Sequence, residues 1–198
     1  MGDDRCFNQA WAMAEVETLT ELAKSGNLAQ VRQLLSAQPE LATQRLASGE
    51  TPLMAALYRG HHDIVQALLE HGAATDIFAA AATGRGGPLR IGLIDGADVN
   101  AVAFDGWTAL HLAAFFGHVD AARILVEAGA DIQAISANSL RNTPLHAAVA
   151  GKHADVALFL LEHGADPHAV DAGGYTPLRM AAENQLSEVV AAISSPSC

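Results

Sequence analysis

The sequence predicts an all-α solenoid, a row of helix-turn-helix units joined by extended turns, and three observations predict it. A threonine-led string, Thr108-Ala-Leu-His-Leu-Ala-Ala114, returns at Thr51, Thr143 and Thr176, with 33 residues from Thr143 to Thr176 and 35 from Thr108 to Thr143. Glycine recurs at the far end of the same unit, 33 residues separating Gly96 from Gly129. Apolar residues between these marks fall at helical spacing, and periods in this range signal stacked supersecondary units.

Each element follows from local chemistry. Thr51, Thr108, Thr143 and Thr176 stand where a hydroxyl can accept a bond from an orphan amide, and Pro52, Pro144 and Pro177 occupy the first helical position without wasting a donor. Leu110, Ala113 and Ala114, with Leu145, Ala148 and Val149 one unit on, give the first helix its buried stripe. The second helix carries Ile64, Val65, Leu68 and Leu69, or Val156, Ala157, Leu160 and Leu161. Asp63, Asp120, Asp155 and Glu188 stand near its start, where negative charge complements the helix dipole. Gly72, Gly96, Gly129 and Gly164 close it through the left-handed conformation open to glycine. Helices this short are marginal alone, so stacking on neighbours supplies their stability.

The strings Thr-Pro-Leu-His-x-Ala-Ala, Gly-His and Gly-Ala-Asp-Val-Asn, in order and in phase over roughly residues 17 to 194, resemble the ankyrin repeat, as it occurs in free-standing bacterial proteins. The resemblance implies a hairpin finger after each helix-turn-helix unit, a concave face built by the hairpin fingers and first helices, and protein binding as the activity. It implies structural roles for His111 and His146, at the Thr-Pro-Leu-His position; Met54 and Arg179 replace them elsewhere. Val99-Asn100 is similar to the asparagine that some animal ankyrin proteins have hydroxylated.

The expected organisation is an N-terminal extension (1–16), a capping repeat (17–47), a full repeat (48–74), a truncated repeat (75–104), full repeats (105–137 and 138–170), and a capping repeat with tail (171–198). Phe7 and Trp11 are spaced to add a helical turn to the extension. Only 24 residues separate Gly72 from Gly96, and counting back from Gly96 places Thr75 at the capping position. The finger between these repeats is therefore missing, a tolerated deletion or a soft joint about residues 73 to 92. Gly86, Gly87, Pro88 and Gly92 weaken that unit's second helix. The loop from Ile135 to Asn142 is two residues longer than its counterpart and is expected to project.

Composition narrows the function classes. A formal charge of −11 leaves no basic stripe for nucleic acid. Cys6 and Cys198 form neither a disulfide framework nor a zinc motif, the amino terminus lacks a secretory signal, and no apolar run spans a membrane. The expected setting is cytoplasmic, the expected state a monomer without cofactor or metal. His61, His111, His118, His146 and His153 recur with the repeat, and His62, His71, His163 and His168 lack the i, i+4 spacing of a zinc pair. No nucleophile elbow or phosphate loop marks an enzyme.

Positions the fold leaves free gather at the finger ends and the ends of the first helices. Phe104, Asp105, Trp107, Phe115 and Phe116 form the centre, with Tyr58, Arg59 and His71 on one side and Leu140, Asn142, His163, Tyr175, Glu183 and Asn184 on the other. Exposed aromatics anchor interfaces, although Trp107, Phe115 and Phe116 are also placed to pack between neighbouring units. The partner expected is a protein with a basic or apolar surface. The alternative is a small-molecule or metal-responsive protein using the histidines or the notch.

Overall fold

The computed structural model describes residues 4–73 and 75–194, with side chains from residue 14 onward. The described residues form twelve α-helices and divide into two compact units, Met1–Ala74 and Thr75–Cys198. No described helix is long and apolar enough to cross a membrane.

The first unit contains α1 (Asp4–Ser25), α2 (Leu28–Ala37), a 3-10 turn (Pro39–Thr43), α3 (Pro52–Tyr58) and α4 (His62–Glu70). The expected extension and capping repeat share one continuous helix, since α1 runs through residues 16 and 17; the side chains of Phe7 and Trp11 lie outside the described residues. Leu19, Ala23, Val31, Leu35, Leu53, Ile64 and Leu68 make the core. His61 sits at the turn before α4, its Nε2 3.2 Å from the carbonyl oxygen of Lys24. Lys24 binds Glu50 at 3.0 Å and Glu21 at 3.1 Å, and these bonds raise its pKa.

The second unit contains α5 (Ile77–Ala82), α6 (Gly86–Ile94), α7 (Ala109–Phe115), α8 (Val119–Glu127), α9 (Pro144–Ala150), α10 (Ala154–Glu162), α11 (Pro177–Glu183) and α12 (Ser187–Ser194). The first helices α5, α7, α9 and α11 pack in one row and the second helices α6, α8, α10 and α12 in another. Alanines make this stacking close: Ala80, Ala81, Ala113, Ala114, Ala147 and Ala148 are all fully buried.

The repeat chemistry is present where the sequence places it. Thr51, Thr108, Thr143 and Thr176 cap their helices, each accepting from the amide three residues on. Gly72, Gly96, Gly129 and Gly164 take φ between +79 and +92 at the ends of second helices. At the turns between helices, Gly60, Gly84 and Gly117 also have positive φ, while Lys152 and Gln185 adopt φ +62 without being glycine.

The truncated repeat differs from its expected register. Asp76, not Thr75, caps α5, its Oδ1 accepting from the Ala79 amide at 2.8 Å. Aspartate is as good a cap as threonine, so a one-residue shift costs nothing there. The helix α6 forms despite its glycines and buries only Leu89 among its side chains. Gly92 has a packing reason: a Cβ there would come within 2.9 Å of Ile77 Cγ2.

Candidate functional site

The fingers of the second unit, residues 98–107, 131–142 and 166–175, begin in the turn that follows each second helix. Asp98, Asp131 and Asp166 each accept at Oδ1 from the amide two residues on, at 2.8–2.9 Å, which holds the chain in a tight turn. The next polar side chain then reaches the following repeat. Asn100 accepts from the Asp131 amide at 2.8 Å and donates to the Gly129 carbonyl at 3.4 Å. Gln133 repeats the bracket one unit on, accepting from the Asp166 amide at 3.2 Å and donating to the Gly164 carbonyl at 2.8 Å. The donor and the acceptor of each side-chain amide are thus both engaged by the next turn, so the finger bases are fixed in series.

The outer parts of the fingers are tied as well. The Ala137 amide donates to the Gly106 carbonyl at 2.8 Å and the Ala172 amide to the Leu140 carbonyl at 2.9 Å. The two extra residues of the middle finger are folded into this network: Asn138 Nδ2 donates to the Asp105 carbonyl at 3.0 Å, and its Oδ1 accepts from the Leu140 amide at 3.0 Å.

Beneath the fingers, two histidines join cap to neighbour. The Thr108 amide and hydroxyl both approach His111 Nδ1, at 3.4 and 2.8 Å, and His111 Nε2 lies 3.0 Å from the Asn142 carbonyl oxygen. Two donors at Nδ1 and an acceptor at Nε2 select the neutral ring protonated on Nε2. Burial pushes the His111 pKa down to about 4, against the opposing pull of the Asn142 carbonyl. His146 repeats the arrangement with Thr143 and the Tyr175 carbonyl, at 3.2 Å, and burial lowers its pKa too. His118 spans to the Ala82 carbonyl at 3.0 Å and is likewise lowered by burial. These rings are structural ties, and among the described residues no three His, Cys, Asp or Glu side chains are placed to hold a metal ion.

The central aromatic group is split by this framework. Trp107 is 7% exposed, packed with His111 at 5.9 Å and edge-on to Phe115 at 5.2 Å between ring centroids. Its indole N–H is buried without a partner, as is Asn142 Oδ1. Phe115 meets Phe116 edge-on at 5.2 Å and both are half-buried, while Phe104 is exposed. Trp107 and Asn142 therefore lie under the fingers rather than on them, because the finger closes over the cap: the Ala103 amide donates to the Trp107 carbonyl and the Ser136 amide to the Asn142 carbonyl, at 2.8 and 2.9 Å.

The remaining expected residues lie further along. Leu140 and Tyr175 are exposed at the next two fingers, and Asp105, half-buried, accepts from the Trp107 amide at 3.1 Å. The Arg179 guanidinium lies over the Tyr175 ring at 4.4 Å and binds Glu183 at 2.9 Å, while Asn184 donates to the Val149 carbonyl at 3.1 Å. His163 is exposed, its Nδ1 2.8 Å from the Phe159 carbonyl oxygen. Tyr58, Arg59 and His71 belong to the first unit, where His71 Nδ1 lies 2.8 Å from the Ala67 carbonyl oxygen.

Sequence reasoning missed a row on the fingers. Val102, Ile135 and Val170, 51%, 55% and 64% exposed, occupy equivalent places, each two residues after Asn100, Gln133 or His168. A β-branched residue at the same step of three successive fingers was the signal available.

Comparison with known proteins agrees with this architecture. A model for ankyrin repeats, in three copies, matches residues 19–136, 77–171 and 135–197. The probable E3 ubiquitin-protein ligase XBOS32 of Oryza sativa subsp. japonica and the E3 ubiquitin-protein ligase XBAT32 of Arabidopsis thaliana are each 31% identical over 130 residues, covering 60% of this chain and 26% of the relative. The chain thus spans about a quarter of the length of these curated relatives, both of them plant proteins. With its capping threonines, closing glycines and finger ladder falling within the matched segments, the chain belongs to the ankyrin-repeat family.

Proposed function

We propose that the chain is a non-catalytic, cytoplasmic protein-binding module whose second unit grips its partner with the three fingers and the ends of the first helices. One observation carries this reading: six of the nine exposed large hydrophobic residues among those described, Val102, Phe104, Ile135, Leu140, Val170 and Tyr175, lie on these fingers. Apolar surface concentrated in one place marks an interaction site, and the hydrogen-bonded fingers present it without an ordering cost at binding. Phe115 and Phe116 extend the surface inward; Trp107 and Asn142 support it from below. The family's usual activity agrees with this reading. Ligase chemistry is not carried over from the relatives, because the match covers only 26% of their length.

Site-specific photocrosslinking tests the proposal. A crosslinker at Phe104 or Leu140, in cells of the source organism, is expected to yield discrete adducts, and one at the outward-facing Glu127 of α8 is not. Equal adducts from Glu127 would refute the surface. Phe116→Ala is expected to weaken capture of the crosslinked partner while leaving the thermal transition within about 3 °C, since a half-buried ring contributes little to the core.

A further inference from the structure

The row Val102, Ile135 and Val170 is more regular than a general apolar surface, one exposed β-branched residue at the same step of each finger. The side chains stand two residues beyond Asn100, Gln133 and His168, of which Asn100 and Gln133 are bracketed onto the next repeat. Val102 and Ile135 are therefore held by the same bonds that fix the repeat spacing. Stacked helices stand about 8–10 Å apart, and equivalent side chains recur at about that pitch.

That pitch selects the shape of what fits. An α-helix advances about 10.5 Å in seven residues and returns to the same face, so residues seven apart meet successive fingers. An extended strand needs about three residues to cover the distance, at about 3.3 Å each. Three is odd, and side chains alternate faces along a strand, so every second contact would point away. The row therefore suits a helix and not a strand.

Charge selects its sign. Asp98, Asp105, Asp131, Asp166 and Asp171 line the same three fingers, where Arg141 is the one cation, and nearby Arg179 is engaged by Glu183. The chain as a whole carries −11, which also opposes a second copy of itself as occupant.

Resting on the finger-surface reading above, we propose that the second unit binds a basic amphipathic α-helix laid across its fingers, with apolar side chains seven residues apart seated on Val102, Ile135 and Val170. Lysine or arginine on either side of that apolar stripe meets the row of aspartates.

The test uses the full chain and three synthetic helical peptides, titrated by fluorescence anisotropy: a lysine-rich peptide of about 24 residues with leucine at every seventh position, the same composition with leucine at every fifth, and a glutamate-rich version of the first. The seven-spaced basic peptide is expected to bind at least about tenfold tighter than either control, and to weaken as salt rises from about 50 to about 500 mM. Ile135→Asp and, separately, Val170→Asp are each expected to cost about tenfold; both sites are exposed, and circular dichroism confirms that the variants fold. Equal binding of the five-spaced peptide, preference for the acidic one, or absence of binding overturns the proposal. So does self-association of the chain that Ile135→Asp abolishes, which would make a second copy the occupant. Binding that Phe116→Ala weakens and Ile135→Asp leaves unchanged overturns the helix-reading row alone, with the finger surface intact. Equal peptide binding by a Phe104→Ala, Phe116→Ala, Ile135→Asp variant overturns both.

Discussion

The helix pairs α5–α6 and α7–α8 stand side by side in the second unit and achieve the same fold by different means. The α7–α8 pair has a threonine-histidine capping box, Asp120 in the first turn of its second helix, and Ala121, Ala122, Ile124 and Leu125 buried along it. The α5–α6 pair has an aspartate cap with Ala79 where α7 has His111, no acid in the first turn of α6, and Leu89 alone buried there. Ile91 and Ile94 of α6 are 60% and 82% exposed, and Ile94 stands where other second helices carry Glu70, Glu127 and Glu162. Stacked repeats tolerate such loss of local preference because each pair is held by its neighbours. His118 is one such hold, reaching from the start of α8 to the Ala82 carbonyl at the end of α5. The difference predicts that α7–α8 is fixed by polar ties sensitive to their chemical state, and α5–α6 by shape.

The largest expected effect breaks the polar ties by acid. The His111 pKa falls from about 6.5 in an unfolded chain to about 4 in the fold. The unfolded chain therefore takes up the proton first: the stability due to the neutral ring is complete above pH 6.5 and is lost as pH falls from 6.5 towards 4. The slope is about 1.4 kcal/mol per pH unit and the total about 3 kcal/mol, to which His146 and His118 add in the same direction. Urea unfolding at pH 7.5 and pH 5 reads about 2 kcal/mol of the His111 contribution. His111→Gln retains a donor for the Asn142 carbonyl but cannot titrate, and its stability is expected to fall less between the two pH values than that of the natural chain. Equal falls would remove His111 as the source.

The next effect sets two glycines of α6 against each other. A Cβ added at Gly87 would meet no atom within 4 Å, so Gly87→Ala gains helix preference and is expected to stabilise by about 1 kcal/mol. Gly92→Ala gains the same preference but drives its methyl to 2.9 Å from Ile77, and a net loss of about 1–2 kcal/mol is expected. Paired urea midpoints decide. Should both variants stabilise, α6 would be held by ordinary helix preference, and the contrast with α8 would reduce to composition.

These two glycines also show how far the sequence could be read. Capping threonines and closing glycines were legible because each answers a local need, an orphan amide or a positive φ, that recurs at the repeat period. The cap at Asp76 was not, because Thr75 and Asp76 are both competent caps and the count back from Gly96 favours Thr75, whereas α5 begins one residue later and is one residue shorter than the other first helices. Trp107 looked like a contact residue because its position precedes the cap in a finger. Its burial depends on the His111 ring and on Phe115, eight residues along the chain, and no local rule reports such a meeting. Asn100 and Gln133 differ in type yet make the same bracket, so residue identity concealed their equivalence. The Val102 row was overlooked for a related reason: one exposed β-branched residue is ordinary, and only the exposure of three equivalents distinguishes it.

The smallest expected effect returns to Trp107, the finger residue just before the α7 cap, which departs from the pattern of satisfied polar groups around it. The indole N–H is buried with no acceptor, while the ring fills the space between His111 and Phe115. Trp107→Phe deletes the unsatisfied donor and part of the ring, so removal of a desolvated polar group offsets lost packing, and stability is expected to change by less than about 1 kcal/mol. The change does not touch the exposed finger residues, so partner affinity in the folded Trp107→Phe protein should equal that of the natural chain. A loss of binding by Trp107→Phe at unchanged stability would mean that the indole N–H leaves its buried place to donate to the partner, and would move Trp107 from the support of the surface to the surface itself.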